Sequence, residues 1–115
     1  MSRRDFPGKK YHISLGVDHV TGPFIQVWSD FTKQDMPTVA IDGLGVRISG
    51  DDHSQRLLET HPAVTTFLDE TGKRFETARG RGNHRPNLDA ETIYRLVALV
   101  GEEEPTQREV YRILD

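Results

Sequence analysis

The sequence predicts an α+β fold, an N-terminal antiparallel β-meander of about four strands with C-terminal helices packed on one face. Three observations point to it. Tyr11, Ile13, Leu15 and Val17 alternate with His12, Ser14, Gly16 and Asp18, the period of a strand with one buried side. Asp42-Gly43 stands between Val39-Ala40-Ile41 and the alternating Leu44, Val46 and Ile48. An Asp-Gly pair in that setting is a strong hairpin signal, because a type I′ turn needs positive φ at both central residues. Beyond residue 89 the apolar spacing changes to that of a helix: Ile93, Leu96, Val97 and Val100 follow i, i+3, i+4, i+7.

The elements follow in chain order. Residues 1–9 read as a flexible basic arm, with Arg3, Arg4 and Lys9 around the Pro7-Gly8 breaker. The first strand spans 11–18, and residues 19–23 form a turn. Residues 24–28 make the second strand, paired with the first as a hairpin. There Phe24 and Trp28 share one face and Ile25 and Val27 the other, so both sides of this strand carry large apolar groups. Residues 32–37 are a polar loop before the second hairpin. Asp52 and Gln55 have the spacing of a capping box for a short helix that buries Leu57-Leu58 and stops at His61-Pro62.

Residues 62–78 send two messages. Val64, Phe67 and Leu68 have helical spacing. The β-branched run Val64-Thr65-Thr66 and the turn-like Asp69-Glu70-Thr71-Gly72-Lys73 tilt the reading to a hairpin. Residues 77–86 have no large apolar side chain and read as loop. Asn87 or Asp89 then caps the helix that ends at Gly101. Pro105 opens a last helix whose stripe is Val110, Ile113 and Leu114. Residues 10–115 thus form a single α+β domain, a size at which one core buries roughly two thirds of the unfolded surface.

Composition narrows the function. The 115 residues are 35% hydrophobic and 29% charged, with a net charge of -3. Dedicated nucleic-acid binders are usually basic, so this balance disfavours that class without removing a local basic patch. The absence of cysteine excludes thiolate nucleophiles, Cys-ligated zinc and disulfides. Together with the lack of a long apolar run or a signal segment, it makes a cytoplasmic protein with no membrane contact the expectation. No cofactor is implied.

The strongest chemical signal is the loop Arg79-Gly80-Arg81-Gly82-Asn83-His84-Arg85, which has no acid. Guanidinium forks match phosphate and carboxylate geometry, glycine lets a backbone approach a ligand, and a helix N-terminus follows. Arg79, Arg81, His84 and Arg85 are therefore the candidate contacts for an anion, a nucleic acid or an acidic partner. The competing reading is a solvated loop, or arginines paired with Glu102-Glu103-Glu104. Phe24 and Trp28 are core residues or, if their face of the sheet is open, an aromatic partner site.

Weaker signals have plain structural readings. Asp18-His19 resembles a carboxylate-oriented base, yet a turn aspartate explains it. His12, Ser14 and Asp18 share a face, but His12 and Asp18 are about 20 Å apart along a strand and cannot form one triad. Asp51-Asp52-His53 lacks metal-site spacing and fits a helix N-cap. Gly43-x-Gly45 and Gly80-x-Gly82 lack the third glycine of a dinucleotide loop. The expectation is a non-catalytic binding or regulatory module acting on an anionic ligand or protein partner through residues 79–85. A nucleic-acid binder and a small enzyme using His19 or His84 are the alternatives. The last helix docks on its own domain or on a second copy, giving a homodimer.

Overall fold

A computed structural model describes residues 2–83 and 86–114. Five strands form one antiparallel sheet in chain order: β1 (Ser2–Pro7), β2 (His12–Asp18), β3 (Gly22–Trp28), β4 (Val39–Asp42) and β5 (Gly45–Ile48). Four helices follow: α1 (Asp52–Thr60), α2 (Pro62–Gly80), α3 (Ala90–Leu99) and α4 (Gln107–Leu114). They pack on one face of the sheet, and the expected α+β meander is what the chain forms, with one strand more than expected.

The added strand is the segment read as a flexible arm. Ser2–Pro7 pairs with β2 along its whole length, from Ser2 opposite Val17 to Pro7 opposite His12. Only Phe6 of this strand is buried. The strand has charged residues and a terminal proline, devices that keep an edge from recruiting another chain. Those same features hide a strand from a reading based on apolar alternation.

The register sorts the side chains into two layers. Phe6, Ile13, Val27 and Val39 line up across β1 to β4, and Leu15, Ile25, Ile41 and Val46 line up across β2 to β5. These point to the helices and join Leu57, Val64, Phe67, Leu68, Phe75, Leu88, Ile93, Leu96 and Val97 in one core. The alternate residues, Asp5, Ser14, Gln26, Ala40 and Arg47, form a cross-strand row on the face without helices.

Residues 62–78 are helix, not hairpin. Pro62 occupies the first turn of α2, where its missing N–H costs nothing. Val64, Phe67, Leu68, Thr71 and Phe75 then recur at helical intervals, and all are buried. Burial of that stripe outweighs the low helix propensity of Val64-Thr65-Thr66 and Gly72. Gly72 lies mid-helix, and a Cβ placed there meets nothing within 4 Å. Gly72→Ala is therefore expected to raise stability by about 0.5–1 kcal/mol in urea unfolding. A loss of stability would mean that the chain turns there after all.

The remaining helices have local stops and starts. Asp51, not Asp52, caps α1: its carboxylate accepts the backbone N–H of His53 at 3.0 Å and of Ser54 at 3.2 Å. Asp89 caps α3 through the Thr92 N–H at 3.2 Å. Gly101 follows α3 with φ of 81°, the left-handed conformation expected of a helix terminator. Pro105 precedes α4, and the cap is Thr106. Its hydroxyl accepts the Glu109 N–H at 3.2 Å, while the Glu109 carboxylate accepts the Thr106 N–H at 3.0 Å. Val110 is buried, and Ile113 and Leu114 pack on the same core, so the apolar stripe of α4 is docked on its own chain.

Candidate functional site

The arginine loop begins where α2 ends, and its glycine has a structural task. Gly82 has φ of 94°. Its N–H reaches the Arg79 carbonyl at 3.0 Å, and the Asn83 N–H reaches the Ala78 carbonyl at 3.0 Å. That pair of bonds is a Schellman motif, which closes the orphan carbonyls at the helix end. Gly82 thus terminates a helix, a role distinct from ligand approach.

Arg79 and Arg81 diverge from this point. The Arg79 guanidinium donates to the Leu44 carbonyl and sits 3.5 Å from the Gly43 carbonyl. It clamps the end of α2 to the β4–β5 turn. Arg81 is exposed. His84 and Arg85 lie outside the described residues. The β4–β5 turn in turn abuts the β2–β3 turn, since a Cβ on Gly43 would come 2.5 Å from the Thr21 carbonyl oxygen. Residues 79–83 therefore stand at the end of the sheet that carries these two turns.

The acidic run is at the opposite end. Glu102 follows α3, and its carboxylate accepts three consecutive backbone N–H groups of the β1–β2 turn. These are Lys9 at 3.1 Å, Lys10 at 2.9 Å and Tyr11 at 3.1 Å. Successive N–H groups that converge in this way form an anion-binding nest, here filled by the chain's own side chain. The nearby charge and its own burial push the Tyr11 hydroxyl above its ordinary pKa, burial being the larger cause.

No family model matches this chain, and no curated protein or solved structure is significantly similar to it. Its chemistry is therefore argued from its own residues.

Phe24 and Trp28 lie on the helix-free face, outside the core cluster, yet they are only 8% and 9% exposed. The β3–β4 loop covers Trp28. Gln34 organises that loop, its side-chain oxygen accepting the Ser29 and Asp30 N–H groups at 3.1 and 2.8 Å. Phe31 is thereby laid edge-on to Trp28, with ring centroids 5.3 Å apart, and stacked on His12 at 3.8 Å. The two residues singled out from the sequence form no open patch by themselves. The apolar surface that solvent meets here is Phe31, 39% exposed, and Met36, 48% exposed.

The same face holds a polar network that sequence reading missed. Asp5 of β1 stands opposite Ser14 of β2 and accepts its hydroxyl hydrogen. Arg3 donates to the Ser14 hydroxyl at 3.1 Å, and His12 Nε2 lies 3.4 Å from the Asp5 carboxylate. Burial works against the charge on Asp5, but the Ser14 hydroxyl, the neighbouring His12 imidazole and the Arg3 cation hold its pKa below the ordinary value. A serine, a histidine and an aspartate meet here, but in the wrong order for nucleophilic catalysis. The carboxylate, not the imidazole, bridges the other two. Ser14 is also fully buried, so no substrate reaches its oxygen.

The other sequence candidates resolve into local structure. The Asp18 carboxylate accepts the Val20 N–H at 2.7 Å and the Thr21 N–H at 3.3 Å, the turn role expected of it. These bonds depress its pKa. His19 is exposed beside it on the turn. Asp51 is held below its ordinary pKa by the Ser49 hydroxyl and by the α1 N–H groups. Among the described residues, no three histidine or carboxylate side chains are grouped to hold a metal ion.

Proposed function

We propose that this chain is a non-catalytic binding module whose segment 79–85 contacts an acidic stretch of a protein partner. The supporting observation is the separation of charges. The Glu102 carboxylate, one of the three acids of the run that competes for these arginines in the sequence, is engaged by backbone groups at the far end of the sheet. Arg81 is left exposed at the near end. Arg79 serves as the anchor that fixes the loop on the β4–β5 turn, and Arg81, with His84 and Arg85, is the contact set.

The net charge of -3 favours a protein over a nucleic acid, because a duplex or single strand would meet overall repulsion outside the loop. A cytoplasmic setting goes with this reading for a chain without cysteine. No described helix is long and apolar enough to cross a membrane. Self-association through α4 is its weakest element, since Val110 is already buried and Tyr111, 37% exposed, is what a second copy would cover.

The test is a titration of the isotope-labelled chain with a synthetic Glu/Asp-rich peptide and, separately, with a single-stranded RNA oligonucleotide, followed by amide NMR. The peptide is expected to shift residues 79–83 and 43–45, with an affinity that falls as salt rises, and Arg81→Ala is expected to weaken it about tenfold. Shifts produced by RNA and not by the peptide would transfer the module to the nucleic-acid class. Silence at this end with both probes would overturn the proposal.

A further inference from the structure

The two edges of the sheet differ in how they are guarded. On β1, Arg3, Arg4, Asp5 and the terminal Pro7 discourage pairing with another chain. On β5, the outermost strand at the other edge, Gly45-Val46-Arg47-Ile48 has no lysine and no proline. Its single charge is drawn back into its own hairpin, where the Arg47 guanidinium donates to the Asp42 carboxylate at 2.6 Å. Leu44, just before the strand, and Ile48, at its end, are exposed.

The ladder fixes which backbone groups the β5 edge presents. The Ser49 N–H bonds the Thr38 carbonyl at 3.0 Å, next to the paired Val39 and Ile48, so residues 38 and 49 are a hydrogen-bonded pair. In an antiparallel ladder such pairs alternate with non-bonded ones. Ala40 with Arg47 and Asp42 with Gly45 are therefore bonded pairs as well. The N–H and carbonyl groups of Val46 and Ile48 turn away from β4. Among the described residues, neither makes a backbone hydrogen bond outside the sheet. Outward groups of this kind are the template to which an extended chain adds.

Charge and register select the occupant. Arg47 belongs to the helix-free face, and Val46 and Ile48 to the face with helices. A second copy of β5, paired antiparallel about a two-fold axis, satisfies both Val46 and Ile48 only in the register centred on Arg47. That register sets Arg47 directly opposite its own counterpart, like charge against like. An acidic residue in the same position meets Arg47 favourably. Arg79 supplies a second cation beside the strand, since a Cβ on Gly45 would lie 3.5 Å from its Nη2. Among the described residues, no carboxylate forms an ion pair with Arg79.

We infer that β5 is the edge on which the acidic partner segment docks, adding to the sheet as a sixth strand. Acidic residues of that segment stand opposite Gly45 and Arg47, and apolar residues opposite Val46 and Ile48. This docking rests on the proposed contact between residues 79–85 and an acidic stretch, and it gives that stretch an extended conformation and an alternating acidic and apolar pattern. Main-chain bonds to Val46 and Ile48 hold the segment, and the Arg47 and Arg79 guanidinium groups set its register.

The experiment titrates the full chain with a short peptide of alternating glutamate and valine, read by amide NMR and hydrogen exchange. Two N-methylated forms of the peptide accompany it, one methylated at every valine and one at every glutamate. The parent peptide is expected to slow exchange of the Val46 and Ile48 amides, while Arg47, already bonded to β4, changes little. Methylation at valine removes the N–H groups that face β5 and is expected to weaken binding at least about tenfold. Methylation at glutamate alters only the outer side and is expected to leave affinity unchanged. Ile48→Pro removes an outward donor and no ladder bond, and is expected to weaken the parent peptide about tenfold. Equal binding of the two methylated forms, or a weaker glutamate form, overturns the added strand whatever the variant does. So does protection of Val46 and Ile48 that grows with chain concentration alone, which assigns the edge to a second copy. Shifts at residues 79–83 with Val46 and Ile48 unprotected overturn the strand and leave the acidic-partner reading standing. Silence with this peptide while the Glu/Asp-rich peptide binds has the same meaning, and silence with both overturns the two together.

Discussion

Replacing Phe75 with alanine is expected to remove about 3–5 kcal/mol of stability, most of what a domain of this size possesses. Phe75 is 1% exposed and sits on the buried stripe of α2, the helix that contacts β5. Alanine forfeits the transfer free energy of the ring and leaves a cavity that a packed core cannot fully close. Urea unfolding is expected to show a lower midpoint with an unchanged slope, and the thermal midpoint to fall by roughly 10–20 °C. Phe75→Leu, which keeps most of the volume, is expected to cost much less. A loss below about 1 kcal/mol for the alanine variant would mean that the ring is not packed as described.

The same residue shows why α2 was the hardest element to read. A stripe of Val64, Phe67, Leu68, Thr71 and Phe75 is present in the sequence at helical intervals, but its fourth member is a threonine. A buried threonine adds nothing to an apolar count, so the stripe breaks at the point where Asp69 to Lys73 already resembles a turn. Tertiary burial settled what local propensity could not. The opposite holds for β2 and for the β4–β5 hairpin. There, alternation and Asp42-Gly43 are local signals that agree with the global arrangement, and the strands were legible. Pro62 combines both cases. It ends α1 as expected, but it also opens the next helix.

The candidate sites were legible in residue type and illegible in partnership. Seven consecutive residues with three arginines identify a basic loop. Nothing in the sequence says that Arg79 donates to the Leu44 carbonyl, because every residue has a carbonyl and only the fold selects one. By residue type Glu102 belongs with Glu103 and Glu104 as a partner for arginine. Its actual partners are backbone N–H groups, which composition never displays. Asp5 was lost for another reason. Once residues 1–9 are read as an arm, no strand exists to set it opposite Ser14. A charged edge strand ending in proline gives few signals beyond Phe6, and that one buried ring was the available clue.

Glu102→Ala is expected to destabilise the chain by about 1–2 kcal/mol, a modest total for three charge-assisted bonds because water replaces part of them at this exposed turn. The carboxylate binds with both oxygens, one to Lys10 and Tyr11 and the other to Lys9. Glu102→Gln keeps the shape but turns an acceptor into a donor facing one of these N–H groups, so it is expected to recover little of the loss. The turn is built around this contact. The Gly8 N–H bonds the Tyr11 carbonyl at 2.9 Å, and a Cβ on Gly8 would lie 2.6 Å from that oxygen and against the Glu102 carboxylate as well. Gly8→Ala is thus expected to weaken the same latch from the other side, and the double variant with Glu102→Ala to cost less than the sum of the two. Amide hydrogen exchange localises the effect. Residues 9–11 are expected to exchange faster in Glu102→Ala while Ile25 and Val27, in the middle of the sheet, are unchanged. Exposed Glu103→Ala, as the control, is expected to stay within about 0.5 kcal/mol of the parent. Equal effects at positions 102 and 103 would show that bulk acidity, and not a carboxylate seated in the turn, holds this end of the molecule together.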